Sequence, residues 1–185
     1  MHILTPDDYQ TMPWRNGGGI THEIALAEGP NGFAWRLSIA EVATSGPFSK
    51  FEGKERILTV IEGNGVHLAS SDQTLTATVK EPAAFSGETD IDGQLIDGPI
   101  RDFNLIFDPA QVTAEVRVVD RSEASFSLTQ TQQMVVHSVN LSTTVAGNRI
   151  GQSQTLFASG GDRSQANVAA EGWAIVVLME PQTST

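Results

Sequence analysis

The chain has no cysteine, which removes a disulfide framework, a thiolate metal site and a cysteine nucleophile together. Basic residues are scarce: 11 Lys plus Arg stand against 22 Asp plus Glu, a net charge of −11 at pH 7. Phosphate backbones and anionic bilayers are bound through an excess of Lys and Arg, so no nucleic acid and no membrane is expected as a partner. The longest apolar run, Ala174 to Met179, has the length of a strand and falls far short of the roughly 18 residues a spanning helix needs. Met1-His2-Ile3-Leu4-Thr5-Pro6-Asp7-Asp8 lacks the cationic and apolar regions of a signal peptide, and a soluble, cytoplasmic protein is expected. Paired histidines are also missing. His2, His22, His67 and His137 form no His-x-His or His-x-x-x-His pair, and no Gly-x-Ser-x-Gly elbow is present. No metal and no other cofactor is expected, and catalysis has no specific motif.

What is present is the short β-strand. Phe33, Trp35, Leu37 and Ile39 alternate with Ala34, Arg36, Ser38 and Ala40, so the two sets take opposite faces. Similar runs cover 57–62, 66–69, 75–79, 101–107, 112–119, 134–141 and 173–179, separated by turns such as Glu62-Gly63-Asn64-Gly65 and Asp97-Gly98-Pro99. With 39% hydrophobic and 18% charged residues the chain is globular, and the strand spacing predicts an all-β sandwich or barrel. Only Thr5 to Gln10 reads as a helical turn, with Thr5 as N-cap and Pro6 at its first position. A faint repeat, strand to turn to polar loop to apolar strand, predicts two similar barrels changing over near Asp108-Pro109. Val135, Val139, Ile175 and Val177 suggest an aliphatic filling for the second.

Three segments carry candidate chemistry, all in the first half. In Pro13-Trp14-Arg15-Asn16-Gly17-Gly18-Gly19 the glycines allow either an anion-binding nest of backbone N–H groups or a plain loop closing one end of a barrel. It is not a P-loop, because no Gly-Lys-Ser/Thr and no helix follow. Arg56, at the entrance of its strand, is either a surface charge or, on the strand face of Leu58 and Val60, an inward-pointing cation that requires a carboxylate or hydrogen-bond partner. Asp102 and Asn104 interrupt an apolar strand, opposite in facing to Phe103, Leu105 and Phe107. Either they satisfy loop backbone, or Asp102, Asn104, Arg36, Ser38 and Arg56 line one barrel interior.

The run from Pro13 to Ala25, the segment Phe33 to Ala40 with Gly46-Pro47-Phe48-Ser49, Arg56 to Gly65, and Arg101-Asp102-Phe103-Asn104-Leu105 resemble the HutD/Ves family. The resemblance covers about the first 110 residues strongly. It implies a cupin-like (RmlC-like jelly roll) double β-barrel. The domains would be 1–108, holding a ligand pocket, and 109–185, mainly structural. It also implies association with bacterial histidine utilisation, in which HutD is regarded as regulatory rather than as a pathway enzyme. The Ves branch is linked to stress. Metal-binding cupins carry two histidines and a glutamate on a strand pair, whereas Phe51 to Gly65 holds no histidine. The expected function is therefore a metal-free binder of a small carboxylate, such as urocanate or formate. Its ligand-binding residues would be Trp14, Asn16, Gly17, Gly18, Gly19, Arg36, Ser38, Arg56, Asp102 and Asn104. Two other readings stand beside it: a metal-independent enzyme with Asp102 or Glu23 as general base, and an acidic interaction scaffold. Cupin-like barrels often dimerise, so a homodimer is one assembly the resemblance allows.

Overall fold

A computed structural model describes residues 1–161 and 164–182. Gly, Pro, Asn and Asp recur every few residues, which leaves room for strands but not for helices. The strands run β1 (His2–Leu4), β2 (Gln10–Pro13), β3 (Gly19–Gly29), β4 (Gly32–Val42), β5 (Gly46–Pro47), β6 (Glu55–Glu62), β7 (Val66–Ala69), β8 (Thr74–Ala77), β9 (Ala83–Ser86), β10 (Asp92–Leu95) and β11 (Ile100–Phe107). They continue as β12 (Val112–Asp120), β13 (Glu123–Ser127), β14 (Gln133–Asn140), β15 (Thr143–Val145), β16 (Asn148–Ile150), β17 (Thr155–Ser159), β18 (Gln165–Ala170) and β19 (Trp173–Pro181). The predicted helical turn is a 3-10 turn, Pro6–Asp8, in which the Thr5 amide and hydroxyl both donate to the Asp8 carboxylate at 2.8 and 2.9 Å.

The chain divides into two compact units, Tyr9–Gln111 and Met1–Asp8 with the residues from Val112 onward. The expected boundary at 108/109 therefore moves in two places. Gln111 Nε2 and the Ala110 amide donate to Asp108, which ties this corner to the end of β11. Residues 1–8 leave the first unit because β1 pairs along the edge of β17, with the His2 ring stacked on Phe157 at 4.7 Å.

In the 9–111 unit the sheets run β2-β3-β4-β11-β6-β9 and β5-β10-β7-β8. The other unit has β1-β17-β14-β19-β12 and β13-β18-β15-β16. Adding eight to each label turns β4-β11-β6-β9 into β12-β19-β14-β17 and β5-β10-β7-β8 into β13-β18-β15-β16, so the topology repeats. The bulge repeats as well: it skips Ile61 opposite β11 and Val139 opposite β19. Through these ladders Arg56, Asp102 and Asn104 correspond to Met134, Ala174 and Val176. Those three lie in a core with Val136, Leu156, Val145, Ile150 and Val168. Val135, Ile175 and Val177, named from the sequence as filling, are buried on the opposite sheet face, because strand side chains alternate. Between the sheets of the 9–111 unit Ala40, Val42, Leu58, Val60, Val66, Leu68 and Ile100 pack likewise, but only at one end.

Candidate functional site

The other end of that unit holds a cavity of about 500 Å³. Ladder register builds its floor. Asn104 lies opposite Ser38 on β4 and Leu58 on β6, and Ile106 lies opposite Arg36 and Arg56, so all face one way. Seven of the ten residues named from the sequence line it: Trp14, Asn16, Arg36, Ser38, Arg56, Asp102 and Asn104.

Arg56 is 7% exposed, and Asn104 Oδ1 accepts from both its Nε (3.0 Å) and its Nη2 (2.7 Å). Its guanidinium carbon sits 4.9, 5.4 and 5.9 Å from the ring centroids of Phe48, Phe85 and Phe51. Cation–π contact partly replaces the hydration the cation has lost. Burial still pulls the Arg56 pKa down to about 10, with Asp102 opposing and Arg36 adding to the fall. Nη1 has no protein acceptor among the described residues. It is the free edge of a planar fork.

Asn104 Nδ2 donates in turn to Asp102 Oδ1. This settles the amide's orientation, since a flipped amide would aim its N–H groups at the guanidinium. Asn104 is therefore a wedge between cation and carboxylate, and the direct Arg56–Asp102 bridge that inward-facing charges suggest is not formed. Asp102 is fully buried, its Oδ2 has no hydrogen-bond partner, and burial pushes its pKa up to about 6 against the pull of Arg56 and Asn104. Arg36 is already committed, its Nε donating to Glu23 Oε2 at 2.6 Å. The Ser38 hydroxyl lines the cavity without a described protein partner.

The three glycines do not line the cavity. The Gly17 amide donates to the Trp14 carbonyl and the Gly18 amide to Asn16 Oδ1, so the loop spends on itself the donors an anion nest would need. Gly17 takes φ +71°. At Gly19 a Cβ would meet the Glu41 carbonyl oxygen and lie 3.0 Å from the Trp14 ring. The run lets Trp14 lie flat at the mouth, where its Nε1 donates to Thr21 Oγ1 at 2.8 Å. Reasoning from single motifs missed Phe51 and Phe85 around Arg56; the inward arginine was the signal that aromatic or acidic company was needed.

The HutD family model matches residues 6–176. A Pseudomonas putida relative, described as an uncharacterized 21.2 kDa protein in the hutC 3′ region, is 39% identical over 168 residues, 88% of each chain. Protein Ves of Escherichia fergusonii is 41% identical over 126 residues, 64% of this chain and 65% of that one. Among solved structures, HutD from Pseudomonas fluorescens SBW25 (formate condition) superposes with a TM-score of 0.88 at 34% identity, over 98% of this chain and 99% of that one. A pirin from Escherichia coli in complex with nickel(II) superposes with a TM-score of 0.69 at 12% identity, over 98% and 99% of the two chains, which shows the cupin-like fold alone. The residues here do not fit such a metal. Among the described residues no three His, Asp or Glu side chains converge. His22 bonds Thr11 and Glu41, His67 bonds Thr76, and none of the four histidines lines the cavity. Matched along nearly its whole length by one family model and folded as a cupin-like double barrel, the chain belongs to the HutD family.

Proposed function

We propose that the cavity of the 9–111 unit is a metal-free receptor for a small carboxylate, and that its occupancy is how this protein takes part in governing histidine utilisation. The observation that carries the reading is Arg56: a buried guanidinium with a free edge inside an open cavity. A planar fork of this kind meets a carboxylate through two parallel hydrogen bonds. Asn104 has both ends of its amide engaged, so it positions Arg56, and Ser38 supplies the hydroxyl for the ligand's remaining polar atom. The relative beside hutC supports the pathway, in which urocanate, glutamate and formate are the carboxylates to try first.

Charge-assisted hydrogen bonds contribute about 1.5–3 kcal/mol each, so loss of the fork's two in Arg56→Ala weakens binding by roughly 100-fold or more. Arg56→Lys weakens it too, because an ammonium keeps the charge and loses the fork. Titration calorimetry with formate, urocanate and glutamate on wild type and both variants is the test. The reading fails if none of the three binds saturably, or if Arg56→Ala binds as well as wild type.

A further inference from the structure

A buried carboxylate oxygen without a hydrogen bond is costly, and here it belongs to Asp102, a residue behind the cavity that Arg56 serves. Suppose a ligand carboxylate docks on the free edge of Arg56. Two carboxylates then share one guanidinium, with Asn104 wedged between the cation and the resident anion. Among the described residues no other cation relieves this. Arg56 comes from β6. Arg36 on β4 is neutralised by Glu23 on β3, and on the inward face of β11 the neighbours of Asp102 are Ile100 and Asn104, with Ile106 beyond. Arg15, the remaining titratable residue of the lining, sits exposed in the loop beside Trp14.

We propose that the site takes up its carboxylate together with one proton, which settles on Asp102 and leaves a single carboxylate charge against the Arg56 guanidinium. The proposal rests on the receptor reading above. The ligand then takes the free edge of Arg56, while the neutral acid, buried out of the ligand's reach, no longer competes for the same cation. The proton comes from bulk water and no ligand bond breaks. Because Asp102 already stands at about 6 in the free protein, a proton is within reach near neutrality. A primary carboxamide of the same shape brings no charge to Arg56, so it leaves the protonation of Asp102 unchanged.

The probes are trans-cinnamate and trans-cinnamamide, neither of which titrates near neutrality. Dissociation constants for both are followed by NMR titration from pH 5.5 to 8.5. Calorimetry in buffers of different ionisation enthalpy reads proton uptake. Cinnamate should weaken about 50-fold between pH 6 and 8 and take up close to one proton at pH 8, by linkage to a free-state pKa of about 6. Cinnamamide, which brings no charge, should bind with a flat profile and no uptake. Asp102→Asn should flatten the cinnamate profile and abolish the uptake. Should that variant not fold, the wild-type uptake decides alone. Cinnamate bound with a flat profile and no uptake overturns the proposal and leaves the receptor reading standing. No binding of cinnamate, formate or urocanate at any pH overturns both.

Discussion

Replacing Arg56 with Met separates the energetics of the Arg56–Asn104–Asp102 chain from its binding role. The Arg56 pKa, pulled down to about 10 from the guanidinium's ordinary value chiefly by burial, means that its surroundings cost the charged form on the order of 3 kcal/mol net. A thioether of similar length removes that cost. It also forfeits two hydrogen bonds to Asn104 Oδ1, about 1.5–3 kcal/mol each, and the cation–π contacts, about 0.5–2 kcal/mol. The forfeited terms exceed the recovered one by about 0.5–5 kcal/mol at acidic pH, where Asp102 is protonated. The carboxyl decides the rest. In wild type Asp102 moves from 3.8 to about 6 on folding, so the folded state holds the extra proton and stability falls as pH rises through that window, then levels. Arg56 is the charge that restrains this rise. Without it the folded pKa climbs further, and the loss continues above pH 6 at about 1.4 kcal/mol per pH unit. Arg56→Met should therefore be more destabilising near pH 8 than near pH 5, by about 2–3 kcal/mol in urea unfolding. In the double variant Arg56→Met/Asp102→Asn this pH dependence should vanish. An equal destabilisation at both pH values would refute the assignment of Asp102 as the buried, Arg56-restrained acid.

The remaining expectations concern the walls and mouth of the cavity. Glu23→Gln releases Arg36 from its 2.6 Å ion pair and removes a negative charge beside the cavity. Carboxylate affinity in calorimetry should rise about three- to tenfold, for on the order of 1 kcal/mol of repulsion removed; a fall would show that Arg36 acts only when held by Glu23. Gly19→Ala drives a Cβ against the Glu41 carbonyl and the Trp14 ring, which should cost about 1–3 kcal/mol and shift tryptophan emission. Gly17→Ala meets no atom within 4 Å and suffers only its φ of +71°, so it should cost about 1 kcal/mol without disturbing Trp14. Equal spectral changes in the two variants would contradict the different roles assigned to these glycines.

Strand alternation in the sequence separates Asp102, Asn104 and Ile106 from Phe103, Leu105 and Phe107, and Arg36 and Ser38 from Trp35 and Leu37. The structure keeps every one of these facings. Period-two alternation is local, a property of the extended backbone, and survives whatever the strand packs against. The all-β class and the repeat were legible for the same reason, since turn residues mark strand ends wherever the strands go. The three glycines were legible as a special backbone but not as to purpose. Whether Gly18 N–H meets an anion or Asn16 Oδ1 depends on a side chain folding back over two residues.

The meeting of Arg56 with Asn104, on which the site turns, depends on pairing between residues 48 apart. Register places β6 and β4 on either side of β11, and only that sets Asn104 between Arg56 and Asp102. One residue of slip would turn Arg56 to the opposite face. The same holds for Phe48 and Phe85, brought from separate segments to one guanidinium, and for β1, which finds its hydrogen bonds on β17. Sequence alone determined which side chains could share a face, because the backbone's geometry repeats every two residues. Tertiary structure decided which of them touch, and left one carboxylate oxygen of Asp102 buried and unpaired, because contacts between strands are set by the whole fold's hydrogen bonding and packing.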